Sequence, residues 1–157
     1  MVRIKLIAVG KLKEKFFRDA VEEYQKRLTR YAQLEIVELP DVSVPDDPSE
    51  AQIRTVLEKE GAAIAKHIPP RSYVVALCVD GQQKSSEAFA EFLREPQNGD
   101  VTFLIGGSHG LADSIVRSAQ CRLSFSAMTF PHQLMRIIFL EQLYRAFKIN
   151  AGERYHK

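Results

Sequence analysis

Apolar and polar positions along this chain change period five times, each time from a short strand-like run to a helical spacing. Residues 2–9 form a first apolar run, closed by Gly10. Within 14–32, Phe17, Val21, Tyr24, Leu28 and Tyr31 recur at steps of four and three, which is one face of a helix. Residues 34–39 read as a second strand ending at Pro40, and 41–48 are acidic and proline-rich, the composition of a surface loop. Ser49 then caps a helix expected to run to His67, ahead of Pro69 and Pro70. Residues 73–79 are apolar throughout, as in a central strand covered on both faces. A turn at Asp80-Gly81 leads to a helix from Ser85 or Ser86 to Glu95. Residues 101–105 give a fourth strand, 111–119 a short helix and 122–125 a fifth strand. The last and most apolar helix covers 130–149, with Thr129 as its expected N-cap.

Strands separated by helices predict an α/β fold: a five-stranded, mostly parallel sheet with helices on both faces and right-handed crossovers. At 157 residues the chain suits one domain, spanning 1–157. No apolar run is long enough to span a bilayer, and the first residues lack the apolar core of a signal peptide, so a soluble cytoplasmic protein is expected. Cys78 and Cys121 sit in strand-like runs. They are expected to be free buried thiols, although two cysteines also allow one disulfide. No Cys/His spacing resembles a metal site.

Charge changes the picture once it is divided along the chain. Residues 1–30 hold nine Lys and Arg against four acids, 31–129 hold eight against fourteen, and 130–157 hold five against two. Positive charge collects at both ends, as a polyanion partner requires. Lys11, Lys13, Lys15 and Arg18 equally suit the solvated start of a helix.

Ligands of open parallel sheets bind beyond the carboxyl ends of the strands. That rule selects the segments after residues 77, 105 and 125. Ile105-Gly106-Gly107-Ser108-His109-Gly110 follows a buried strand, and its glycines let a ligand approach the backbone closely. It is neither a dinucleotide fingerprint nor a phosphate loop, and by itself it can be a ligand-free turn. The loop Phe125, Ser126, Ala127, Met128, Thr129 and Phe130 combines small, polar and apolar side chains, which suits an adenine or an ordinary connection.

The helix after it leaves almost no polar side, so a second copy of the chain is the economical cover. Glu141 is a carboxylate among apolar neighbours, either paired with Arg145 at i+4 or aimed at a site. The chain ends on Arg154, Tyr155, His156 and Lys157, a frayed tail or a cluster of reactive groups.

Several motifs, in order, resemble one family: Val9-Gly10-Lys11-Leu12-Lys13; Phe103 to Gly110; Leu123 to Arg136, with Met128-Thr129-Phe130-Pro131-His132-Gln133 at its centre; Glu141 to Phe147; and Tyr155-His156-Lys157. They are similar to the RlmH family, small SPOUT-class methyltransferases that modify N3 of a pseudouridine in large-subunit (23S) ribosomal RNA. The resemblance runs over the whole chain. It implies a C-terminal trefoil knot, a homodimer, and S-adenosylmethionine bound at Leu77, Gly106 and Phe125, Ser126, Ala127, Met128, Thr129 and Phe130. It also places Tyr155, His156 and Lys157 over the cofactor of the partner subunit. There Lys157, backed by Arg154, would stabilise negative charge. His156 or Glu141 would take the N3 proton, and Tyr155 would stack on a base.

So small and nearly neutral a chain is expected to recognise the assembled ribosome. Two other functions remain open on the sequence. One is a non-catalytic, dimeric, ribosome-associated module that only binds the cofactor. The other is a flavodoxin-like nucleotide-binding protein, against which the absence of a Ser/Thr-rich loop after the first strand counts.

Overall fold

The computed structural model describes residues 1–95 and 99–157. In chain order the elements are β1 (Val2–Val9), α1 (Lys15–Leu28), β2 (Ala32–Leu39), α2 (Glu50–His67), β3 (Tyr73–Gln83), α3 (Ser86–Arg94), β4 (Asp100–Ile105), α4 (Asp113–Ser118), β5 (Cys121–Ser124) and α5 (His132–Asn150). The strands pair in the order β2-β1-β4-β3-β5, and every pair is parallel. The sheet is therefore parallel throughout. Strand β4 lies between β1 and β3, so the chain leaves β4 and crosses β3 to reach β5 at the edge.

Alternation along the strands divides the core in two. Ile4, Leu6 and Ala8 of β1, with Val101, Phe103 and Ile105 of β4, face Val21, Phe89, Phe139, Leu140 and Leu143 of α1, α3 and α5. Ile7 and Val9, with Val74 and Leu104, face Ile64 of α2 and Ile115 of α4. Burying a side chain the size of Phe139 or Leu140 contributes about 1.5–3 kcal/mol, so α5 is held firmly on its inner face.

Several boundaries differ from those read in the sequence. Helix α1 stops at Leu28, and Tyr31 lies in a turn, because β2 starts two residues early to pair Ala32 with Val2. Strand β3 continues through Asp80-Gly81, where a turn is expected. A register shift between Leu77 and Gln82 lets Gln82 and Gln83 rejoin β5 at Leu123 and Ser124. Gly81 sits at this irregularity, and any side chain there would meet the backbone of Arg122 and Leu123 at 2.8 Å. Pro131, not Thr129, precedes the first turn of α5, in the extended conformation its ring allows. Ser49 and Ser85 do cap α2 and α3, the first in a reciprocal capping box with Gln52. Cys78 and Cys121 are free and half-buried. Among the described residues no helix is long and apolar enough to cross a membrane, and no group of His, Cys, Asp and Glu could hold a metal ion.

Candidate active site

A cleft of about 780 Å³ opens beyond the carboxyl ends of β3, β4 and β5. Its walls come from residues 77–80, 105–111, 123–126 and 128–132, with Asp113, Val116 and Met135 behind them. These are the three strand-end segments that the open-sheet rule selects. The size is that of a cofactor site, and Leu77, Ile105, Leu111 and Phe125 give it apolar surfaces beside Ser108, Ser124 and the Asp80 and Asp113 carboxylates.

Two devices shape the cleft. The Gly110 amide donates to the Gly107 carbonyl at 3.0 Å and closes a tight turn after β4. Gly106 is packed so closely against Gly110 that a Cβ there would overlap the Gly110 carbonyl. On the opposite wall, Ser124 Oγ donates to the Ser126 carbonyl at 2.9 Å, and the Met128 amide donates to Ser126 Oγ at 2.9 Å. That pair of bonds curls the 125–130 loop around the opening. Leu77, Gly106, Phe125, Ser126, Met128, Thr129 and Phe130 all line the cleft. Ala127 belongs to the same loop but is exposed and not part of the wall. Met128 and Val79 stand at the rim 72% and 51% exposed, a large apolar exposure for a finished surface.

Three residues beside the cleft have no role in the sequence reading, although two of them, His132 and Arg136, lie in a motif that it quotes. Arg136, 1% exposed, donates to Glu38 Oε2 at 2.6 Å, to the Val9 carbonyl at 3.2 Å and to the Gly10 carbonyl. It ties the first turns of α5 to the end of β1. His132 lines the cleft next to Gly10 and Asp41, and burial pushes its imidazole down from the ordinary range. Glu60, 7% exposed, accepts from the Val42 amide at 3.2 Å and lies behind Gly107. Burial raises its carboxyl above the usual carboxylate range, although the Val42 bond opposes that rise. A signal for Glu60 exists: it falls in step with Val56 and Ile64 on the buried stripe of α2.

The C-terminal residues form a second constellation, and none of them lines the cleft of their own chain. Glu141 Oε1 accepts from Arg145 Nε at 3.0 Å, from Arg145 NH2 at 2.6 Å and from the Tyr155 hydroxyl at 3.1 Å. Gln142 Nε2 donates to Glu141 Oε2 at 2.9 Å. Burial, and then the Glu141 charge, push the Tyr155 hydroxyl up to about 12, so it stays a donor at neutral pH. Arg145 also stacks on the Tyr155 ring at 4.8 Å and points NH1 at His156 Nδ1, 3.1 Å away. A guanidinium can only donate, so Nδ1 accepts and the neutral ring carries its proton on Nε2, facing Glu87 Oε1 at 2.6 Å. The tail is therefore docked on α5 and α3 rather than frayed. Arg154 and Lys157 are exposed and make no ion pair among the described residues.

A family model described as a predicted SPOUT methyltransferase matches residues 2–156. The chain belongs to that family. Among curated relatives of this SPOUT methyltransferase, "Ribosomal RNA large subunit methyltransferase H" of Clostridium novyi is 49% identical over 159 residues, covering 99% of this chain and all of the relative. The protein of the same name from Bacillus cytotoxicus is 48% identical with the same coverage. A solved structure described as a probable methylase family protein from Haemophilus influenzae superposes with a TM-score of 0.53 at 16% identity. The match covers 99% of this chain and 70% of that one, and it shows the shared fold alone. A SPOUT methyltransferase needs a methyl donor, and the cleft beyond β3, β4 and β5 is large enough to hold one.

Proposed function

We propose that this SPOUT methyltransferase methylates N3 of a pseudouridine in 23S ribosomal RNA, acting in the cytoplasm as a homodimer on the assembled ribosome. One observation carries the reading: the cleft and the C-terminal constellation lie apart within one chain. Each needs what the other has, which favours a site completed by the partner subunit's tail. The exposed Met128 and Val79 at the cleft rim and the half-buried outer residues of α5, such as Leu134 and Ile138, suit such cover. The names and full-length identity of the relatives support the RNA substrate. The reading treats 1–157 as one working domain with a C-terminal trefoil knot.

Leu77, Gly106 and the residues from Phe125 to Phe130 would hold S-adenosylmethionine, with Asp80 and Asp113 as anions suited to its positive charge. When bound, that cofactor supplies a methyl group already activated by its sulfonium. The protein's own work is to orient the base and to remove the N3 proton, which is largely in place at neutral pH. His156 is the better placed base, since its Nδ1 lone pair is freed once Arg145 lets go. Glu141 has both oxygens engaged and serves instead to anchor Arg145 and Tyr155. Lys157 and Arg154, exposed and without an ion pair among the described residues, would steady negative charge on the base or phosphates, and Tyr155 would stack on the base.

Truncation after Gly152 tests this reading against a module that only binds the cofactor. The shortened chain should bind S-adenosylmethionine normally and transfer no methyl group. Transfer by the truncated chain would overturn the proposal.

A further inference from the structure

Large exposed apolar side chains are few in this protein, and Phe16 is one that the cleft does not explain. It is 63% exposed at the start of α1, flanked by Lys11, Lys13 and Lys15. Its neighbour Phe17 is half-buried against the core, and the two rings meet at 4.5 Å. Phe16 is thus held outward on a firm base. The loop before it is also fixed: Arg18 NH1 donates to the Leu12 carbonyl at 3.0 Å and to the Lys13 carbonyl at 2.7 Å, and Leu12 is buried. Lys15 pairs with Asp19 at 2.7 Å, whereas Lys11 and Lys13 make no ion pair among the described residues.

The loop leaves β1, the strand beside β4, at the end of the sheet that carries the cleft. Gly10, where the loop begins, lies beside His132 of the cleft wall: a Cβ there would stand 3.3 Å from His132 Nε2. An outward aromatic ring, following two amines that make no ion pair among the described residues, on the segment that leaves β1 at the cleft end of the sheet, is the chemistry that binds an unpaired nucleotide. The ring offers a stacking face, and the amines offer partners for phosphate. We propose that Phe16 stacks on an unpaired nucleotide of the RNA substrate, next to the one modified, while Lys11 and Lys13 hold its phosphates. This rests on the methyltransferase reading above, and it adds a specificity element that recognises flanking RNA.

The test uses the full-length chain and assembled ribosomes. Phe16→Ala should raise KM for ribosomes about tenfold or more, the range expected for one lost stack. Binding of S-adenosylmethionine and oligomeric mass should stay unchanged. Phe16→Leu should behave like Phe16→Ala. The chain contains no tryptophan, so Phe16→Trp installs a single reporter. This variant should keep a near-normal KM, and assembled ribosomes should quench its emission. Unchanged KM in Phe16→Ala, full function in Phe16→Leu, or unquenched emission would each overturn the inference. A change of oligomeric mass in Phe16→Ala would assign the ring to contact between copies and overturn it too. If the wild-type chain transfers no methyl group to ribosomes, the parent reading fails instead. If the wild type is active and the variants match it, only this inference fails.

Discussion

The Tyr155 hydroxyl donates to Glu141 Oε1 at 3.1 Å, across fourteen residues of chain, and so folds the C-terminal segment back against the middle of α5. That bond turns a sequence of reactive side chains into a defined object. In the proposed dimer it would also fix where the tail starts from on its way to the partner subunit.

Tyr155→Phe removes this bond and nothing else. A hydrogen bond to a partly buried carboxylate contributes about 1–2 kcal/mol, so the melting temperature should fall by a few degrees. Thermal unfolding followed by circular dichroism measures it. An unchanged midpoint would mean that the tail is not docked in solution.

Exchange of the two base candidates separates their roles. His156→Ala should lower kcat by about a hundredfold or more, the range of a lost general base, with cofactor affinity intact. Glu141→Gln keeps its shape but loses the ion pair to Arg145, so it should lower kcat by only about tenfold. Near-normal turnover and normal RNA binding in both variants would sink the assignment of either residue.

Gly106→Ala puts a methyl group onto the Gly110 carbonyl and against the Leu111 amide. The turn must open, and the cleft wall with it. Calorimetric titration should show affinity for S-adenosylmethionine lower by at least tenfold, with the circular dichroism spectrum unchanged. Wild-type affinity would place the cofactor elsewhere.

Glu60 gives a pH dependence with a definite sign. Its carboxyl is raised in the folded state, so ionising it opposes folding. The penalty is absent below the unfolded carboxylate range. It grows as pH rises through that range and is complete above the raised folded value. Glu60→Gln keeps an acceptor for the Val42 amide without the charge. Denaturant unfolding should therefore find the variant at least as stable as the wild type at pH 7, with the difference vanishing below about pH 4. A variant less stable at pH 7 than at pH 4, relative to the wild type, would contradict this account.

Much of this was legible in the residues, for reasons that differ from element to element. Strand and helix periods located all ten elements of the described residues, because each strand-like run is bounded by a turn or a helix cap such as Ser49 or Ser85. The place of the cleft followed from a rule about parallel sheets, which selects the segments after β3, β4 and β5; Gly106 and the 125–130 loop as cofactor contacts came from the family resemblance. What periodicity missed was non-local. The continuation of β3 through Gly81 depends on β5 coming alongside, and the early start of β2 depends on β1. Spacing puts Glu60 on the buried stripe of α2, but its place behind Gly107, like the bonds of Arg136 to Glu38 and Val9, depends on packing between distant segments. The separation of the tail from its own cleft depends on the direction of α5, which no spacing reveals.

The central claim is tested by transfer of a labelled methyl group from S-adenosylmethionine to assembled ribosomes, prepared with and without pseudouridine in the target loop of the large subunit. Label should enter 23S RNA only where pseudouridine is present. Equal labelling of both preparations, or no transfer to either while the cofactor still binds, would contradict the account.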